Sequence, residues 1–129
     1  MTSDDLARLD RIEIKDLLLR GIVGINDEER EKKQDILINV VLHADTRETA
    51  RDDSLAAAIN YRSVNKAIIA LVEDSAFFTV EKLAAEIARV ALAVASVPAV
   101  TVRVEKPGAL RFSRSVGVSI VRAPADFAP

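Results

Sequence analysis

The chain has 129 residues, half of them hydrophobic and few of them aromatic, with 18 basic against 20 acidic side chains and a net charge of −2. That length supports one aliphatic core and a single domain. The balanced charge sets up no field for nucleic acid or an anionic membrane. There is no cysteine and one histidine, His43, which excludes disulfides, thiolate zinc and a cysteine nucleophile. Neither a metal nor a cofactor is expected.

Residues 1–10 read as a loose end. The opening MTSDDLARLD has no apolar signal core, and no apolar run is long enough to span a bilayer. A cytoplasmic protein without a membrane partner is therefore the expectation. RIEIKDLLLRGIVGI (11–25) starts with alternation at Ile12 and Ile14, breaks at Lys15-Asp16 and resumes, which predicts a long, bulged strand. NDEEREKK (26–33) is a polar connection. DILINVVLHAD (35–45) is a second strand, with Ile36, Ile38, Val40 and Leu42 on one face and Leu37, Asn39, Val41 and His43 on the other.

The period changes after the polar stretch TRETARDDS (46–54). In LAAAINYRSVNKAIIALVEDS (55–75), Val64, Ala67, Ile68, Leu71 and Val72 form a helical stripe. After a break at AFF (76–78), TVEKLAAEIARVALAVA (79–95) is a second helix, with Val80, Leu83, Ala84, Ile87 and Ala91 on one side. Thr79 suits its cap, and Glu81 suits the positive end of its dipole. Pro98 closes it. AVTVRVEK (99–106) and SVGVSIVR (115–122) are two further strands, and APADFAP (123–129) is a second loose end.

The order strand, strand, helix, helix, strand, strand predicts an α+β domain over 1–129 with its core in 11–122. A four-stranded antiparallel sheet would carry both helices on one face. The other face then lies bare, although Leu37 and Val41 make it partly apolar. A symmetric homo-oligomer that continues the sheet between subunits would cover it and pair its edges.

Lys106 shares strand parity with Val100, Val102 and Val104 and is followed at once by Pro107-Gly108. The plain reading is a snorkelling lysine before an ordinary turn. The functional one is a proton donor, since amines at the mouth of an apolar pocket exchange protons more readily than solvated ones. Glu81 is either a surface acid at a helix start or a planar acceptor for adjacent N–H groups, helped by free amides of the first turn. Asn60-Tyr61 can be read as cap and packing, yet Tyr61 is the only tyrosine and a phenol relays protons. Glu28 and Glu29 read most simply as a solvated acidic run, and His43 as a structural or surface histidine rather than a ligand.

None of these signals is specific alone; together they are. The chain resembles the dihydroneopterin aldolase family from Arg11 to Arg122. The matching landmarks are GINDEEREKKQ (24–34), Asp52-Asp53, NYRSV (60–64), VEKLAAEIA (80–88) and VEKPGAL (104–110). The resemblance implies the tunnelling fold, with subunits forming a tetrameric barrel, two of which commonly stack as an octamer, and pterin sites between subunits. It implies Glu81 as pterin anchor with the Val80 backbone, Lys106 as acid/base near N5, Tyr61 as proton relay, and Glu29 as the group addressing the dihydroxylated side chain. The implied reaction is metal-free retro-aldol cleavage of 7,8-dihydroneopterin in folate biosynthesis, the substrate's own C6=N5 imine acting as electron sink.

Two departures stand out. Thr79-Val80 occupies a position where the family usually has two bulky aliphatic residues, so the Thr79 hydroxyl either binds ligand or caps the helix. NYRSVNKAI and LRFSRSV are more similar to the sister enzyme, dihydroneopterin triphosphate 2′-epimerase, whereas KPGA is more similar to the aldolase. Arg62, Lys66, Arg111 and Arg114 are either a triphosphate clamp or solvated cations. A non-catalytic pterin-binding or assembly protein is the remaining alternative.

Overall fold

The computed structural model describes residues 2–129. A short helix, α1 (Ser3–Ala7), precedes β1 (Asp10–Val23), and α2 (Asp27–Glu31) joins it to β2 (Gln34–Ala44). Then come α3 (Arg47–Asp52), α4 (Tyr61–Glu73), β3 (Ala76–Phe77), α5 (Val80–Ala95), β4 (Ala99–Pro107) and β5 (Ser115–Arg122). A 3-10 turn at Pro124–Phe127 ends the chain. Both ends, expected to be loose, thus carry short structure: Thr2 caps α1 through the Asp5 amide, and Phe127 packs against the core.

The sheet order is β3-β1-β2-β4-β5. Four strands pair antiparallel as expected, and β3 adds a fifth that runs parallel to β1 through only Ile22↔Ala76 and Val23↔Phe77. A two-residue strand has no alternation to read, so in the sequence it is only a break. The polar connections hide α2 and α3 for a similar reason. Both are held by polar bonds rather than an apolar stripe, as where Asp10 Oδ2 accepts from the Thr46 amide at 3.0 Å.

The break in β1 is a bulge. Ile14 pairs with Val40 and Leu17 with Ile38, so Lys15 and Asp16 together oppose Asn39. Asp16 adopts φ 55°, and its amide donates to Asn39 Oδ1 at 2.9 Å. The extra residue resets parity, so that Ile12 and Ile14 before it and Leu17 and Leu19 after it all pack on the same core.

That core lies between one sheet face and two helices. Val64, Ile68 and Val72 of α4 and Leu83, Ala84, Ile87, Ala88, Ala91 and Leu92 of α5 are buried against Ile36, Ile38, Val40 and Leu42 of β2 and Val100, Val102 and Val104 of β4. The first helix starts at Tyr61 rather than among the apolar residues 55–59, because Asn60 Oδ1 caps it by accepting from the Ser63 amide at 3.0 Å. Leu55 is left exposed. The opposite sheet face carries polar pairs: Arg11 with Glu13 at 3.1 Å and Arg103 with Glu105 at 3.2 Å. His43 is buried there, its Nε2 2.7 Å from Thr101 Oγ1. Among the described residues no helix is long and apolar enough to cross a membrane.

Candidate active site

β1 ends at Val23, the chain turns through Gly24–Asn26, and α2 brings Glu29 back over that turn. Glu29 Oε1 accepts from the amides of Ile25 at 3.3 Å and Asn26 at 3.2 Å. The turn is close: a Cβ on Gly24 would lie 2.6 Å from Glu29 Cβ. Gln34 closes the excursion from the other end. Its Oε1 accepts from the Val23 amide at 3.2 Å and its Nε2 donates to Glu29 O at 2.6 Å.

Lys106, near the end of β4, is cross-strand from Val116 and leaves the sheet on the helix side with Val104 and Val102. Its ammonium donates to Val23 O at 3.0 Å and to Glu29 Oε2, with which it forms an ion pair. The lysine side chain is only 14% exposed. The Lys106 bond, then the Asn26 amide, hold the Glu29 carboxyl below its usual range against the opposing effect of burial. An ammonium has three donors, and two are engaged here among the described residues.

Across from this pair, α5 begins. Thr79 Oγ1 accepts from the Lys82 amide at 3.1 Å, so the Thr79 hydroxyl caps the helix and retains its own proton for donation. Glu81 is exposed in the first turn and makes no side-chain hydrogen bond or ion pair among the described residues. Phe78 precedes the cap and is 63% exposed. Between the two walls runs a cleft of about 370 Å³, with Gly24–Asn26 and Glu29 on one side, Phe78–Glu81 on the other, and Lys106 with Val116 between them. A second hollow of about 550 Å³ shares Asn26, Glu29, Lys106 and Val116 and continues towards Leu110. The volume is in the range of small-ligand sites. Among the described residues no group of three or more His, Asp or Glu is placed to hold a metal ion.

Of the residues singled out from sequence, Glu29, Thr79, Val80, Glu81 and Lys106 line one cleft, and Tyr61 does not. Tyr61 opens α4, whereas Val72 near the other end of that helix packs beside Gly21 of β1. Thirteen residues of helix span about 20 Å, which separates the phenol from the cleft of its own chain. Arg62, Lys66, Arg111 and Arg114 are all exposed, two on α4 and two in the β4–β5 loop, and none lines the cleft. Val23, Asn26, Arg30, Gln34 and Phe78 belong to the site without standing out in the sequence. Only Asn26 carries a legible signal, the N-cap type three residues before a glutamate.

This sheet and its two main helices define a protein of the tunnelling-fold class. The chain belongs to the dihydroneopterin aldolase family: the FolB dihydroneopterin aldolase family model matches residues 12–121. It is 38% identical over 110 residues to the dihydroneopterin triphosphate 2′-epimerase of Pseudomonas aeruginosa, covering 85% of this chain and 89% of that one. It is 41% identical over 101 residues to the dihydroneopterin aldolase of Streptomyces coelicolor, covering 78% and 85%. The crystal structure of Escherichia coli dihydroneopterin aldolase in complex with neopterin superposes with a TM-score of 0.84 at 30% identity, covering 89% of this chain and 100% of that one.

Proposed function

We propose that this chain is a dihydroneopterin aldolase, cleaving the C1′–C2′ bond of 7,8-dihydroneopterin to give 6-hydroxymethyl-7,8-dihydropterin and glycolaldehyde, as a step of folate biosynthesis. The observation that carries this reading is the Lys106–Glu29 ion pair on one side of a cleft whose other side presents an unpaired carboxylate, Glu81. A carboxylate at a helix start is suited to the adjacent N–H groups of a pterin edge, and the superposed Escherichia coli structure, a complex with neopterin, supports that ligand class.

The steps balance without an outside reagent. The 2′-hydroxyl loses its proton, its oxygen becomes the carbonyl of glycolaldehyde, and the C1′–C2′ electron pair moves into C6=N5. N5 takes a proton from the Lys106 ammonium. The resulting enamine is then protonated at C1′ as N5 returns its proton to the Lys106 amine, which restores C6=N5, so that the proton given up by the 2′-hydroxyl is matched by the one gained at C1′. Glu29 faces the dihydroxylated chain, where an ionised carboxylate orients and accepts from hydroxyls. Tyr61, which does not line the cleft of its own chain, would relay the last proton from a second copy of the chain. A homo-oligomer with sites between subunits follows; sedimentation showing a stable monomer that turns over substrate would remove that part.

A second reading is epimerisation at C2′ of the triphosphate, in which bound glycolaldehyde recombines on its other face. The NYRSVNKAI and LRFSRSV segments and the 38% identity to the Pseudomonas epimerase favour it. Incubating the purified protein with 7,8-dihydroneopterin and with its triphosphate separates the readings. Free glycolaldehyde supports cleavage, and the 2′ epimer as main product from the triphosphate supports the sister reaction. Tight pterin binding with neither product would leave a binding protein.

A further inference from the structure

Arg30 comes directly after Glu29 in sequence, but its side chain serves both walls of the cleft. Nη1 donates to Gly24 O at 3.3 Å and to Phe77 O at 3.0 Å. The guanidinium carbon lies 4.1 Å from the centre of the Phe78 ring. Gly24 N–H donates to the same Phe77 oxygen at 3.2 Å. The two walls therefore meet at Phe77 O, next to the β1–β3 pairing, and Arg30 covers that joint.

The joint needs support. β3 is only two residues long and pairs with β1 through two partners, too few to hold its own position by strand pairing. Phe78 and Thr79 link this short strand to α5, whose Val80 and Leu83 pack on the core, so the Phe77–Phe78 end is the least supported part of the second wall. Phe78 has no place in the core, and its exposed ring is steadied by the cation lying on it.

We infer that Arg30 is a positioning residue, a planar clamp that fixes the gap between the Lys106–Glu29 pair and the Phe78–Glu81 wall and so sets how tightly a flat heterocycle is gripped. The inference rests on the pterin reading above and adds a residue to it. A guanidinium is suited to the task because it bonds carbonyls in its plane while its face lies on an aromatic ring; an ammonium does the first without the second. With the clamp removed, Lys106, Glu29 and Val23 O keep their mutual bonds on one wall. Only the distance to the opposite wall is freed.

The test uses the full chain and the variants Arg30→Ala, Arg30→Lys, Phe78→Leu and the Ala/Leu double, with turnover of 7,8-dihydroneopterin and amide hydrogen exchange as readouts. Arg30→Ala is expected to raise KM about tenfold and change kcat less than about threefold, Arg30→Lys to recover only part of that loss, and the double variant to be no worse than Arg30→Ala. The Gly24 amide should exchange at least about tenfold faster in Arg30→Ala. A merely structural arginine would reduce the amount of folded protein and leave the KM of the remainder alone. KM within about twofold of wild type in folded Arg30→Ala overturns the inference, as do additive effects of the two substitutions. If the wild-type chain neither binds nor converts the pterin, the functional reading fails by itself. The exchange arm then decides the clamp, and unchanged protection at Gly24 overturns it.

Discussion

The two walls of the cleft are built on opposite plans. On the first, Glu29 engages protein donors with both carboxylate oxygens and Lys106 is nearly covered, with Val23 O and Gln34 fixing the backbone around them. On the second, Thr79 only starts a helix and Glu81 stands open to solvent with no partner among the described residues. A group that moves protons must be held in place before substrate arrives, because reorganisation during reaction is costly. A group that anchors substrate must be left unpaired, so that the ligand supplies its hydrogen bonds. Under the proposed function, the first wall would carry the chemistry and the second the recognition.

The sharpest way to break this division is Lys106→Ala. It should lower kcat by about 10²–10⁴-fold while pterin affinity changes only a few-fold; single-turnover kinetics and calorimetry read the two separately. Glu81→Ala should do the reverse, costing about 100-fold in affinity through loss of charge-assisted hydrogen bonds. Unchanged calorimetric binding would remove Glu81 from recognition. Gly24→Ala comes next, because the added methyl meets Glu29; a loss of roughly 1–3 kcal/mol in stability is expected, measured by denaturant unfolding beside the wild type.

Acid gives a gentler probe. The folded Glu29 carboxyl sits below its unfolded value because Lys106 and the Asn26 amide favour the ionised form. Its contribution to stability is complete above the ordinary glutamate range and is lost as pH falls through the lowered folded value. Lys106→Met should flatten that part of the stability–pH curve, and superimposable curves would argue that the pair contributes nothing to folding. The smallest effect is Thr79→Ala, which removes the α5 cap and should cost about 1 kcal/mol, seen as a melting point lower by a few degrees with kcat intact.

The apolar pattern made most of the sheet and both long helices legible. Strand parity alone places Lys106 beside Val104 and Val102 on the core side, and the broken alternation at Lys15-Asp16 locates the bulge. Capping letters did the same for Asn60 and Thr79. What stayed hidden is held by polar, non-periodic contacts. The α2 excursion depends on Glu29 folding back onto two amides, and β3 on a parallel pairing too short to show a period. Arg30 and Gln34 act through backbone carbonyls and amides well away in the chain, which no local spacing encodes. The distance of Tyr61 from the cleft is a tertiary fact: sequence places it at a helix start but not at which end of the domain.

The bulge has a consequence beyond β1 itself. Because the bulge absorbs one residue, deleting Lys15 would leave Asp16 alone opposite Asn39 with Leu17 still across from Ile38, whereas deleting Leu18, beyond the bulge, would turn Leu19 and Val23 outward unless the strand slid by one place against its neighbour. Val23 lends its carbonyl to the Lys106 amine, so the second deletion would misaim that acceptor and the first would leave it in place. The kink is thus the one stretch of β1 that tolerates a shorter chain, and the aim of the Lys106 acceptor depends on where along the strand the length changes.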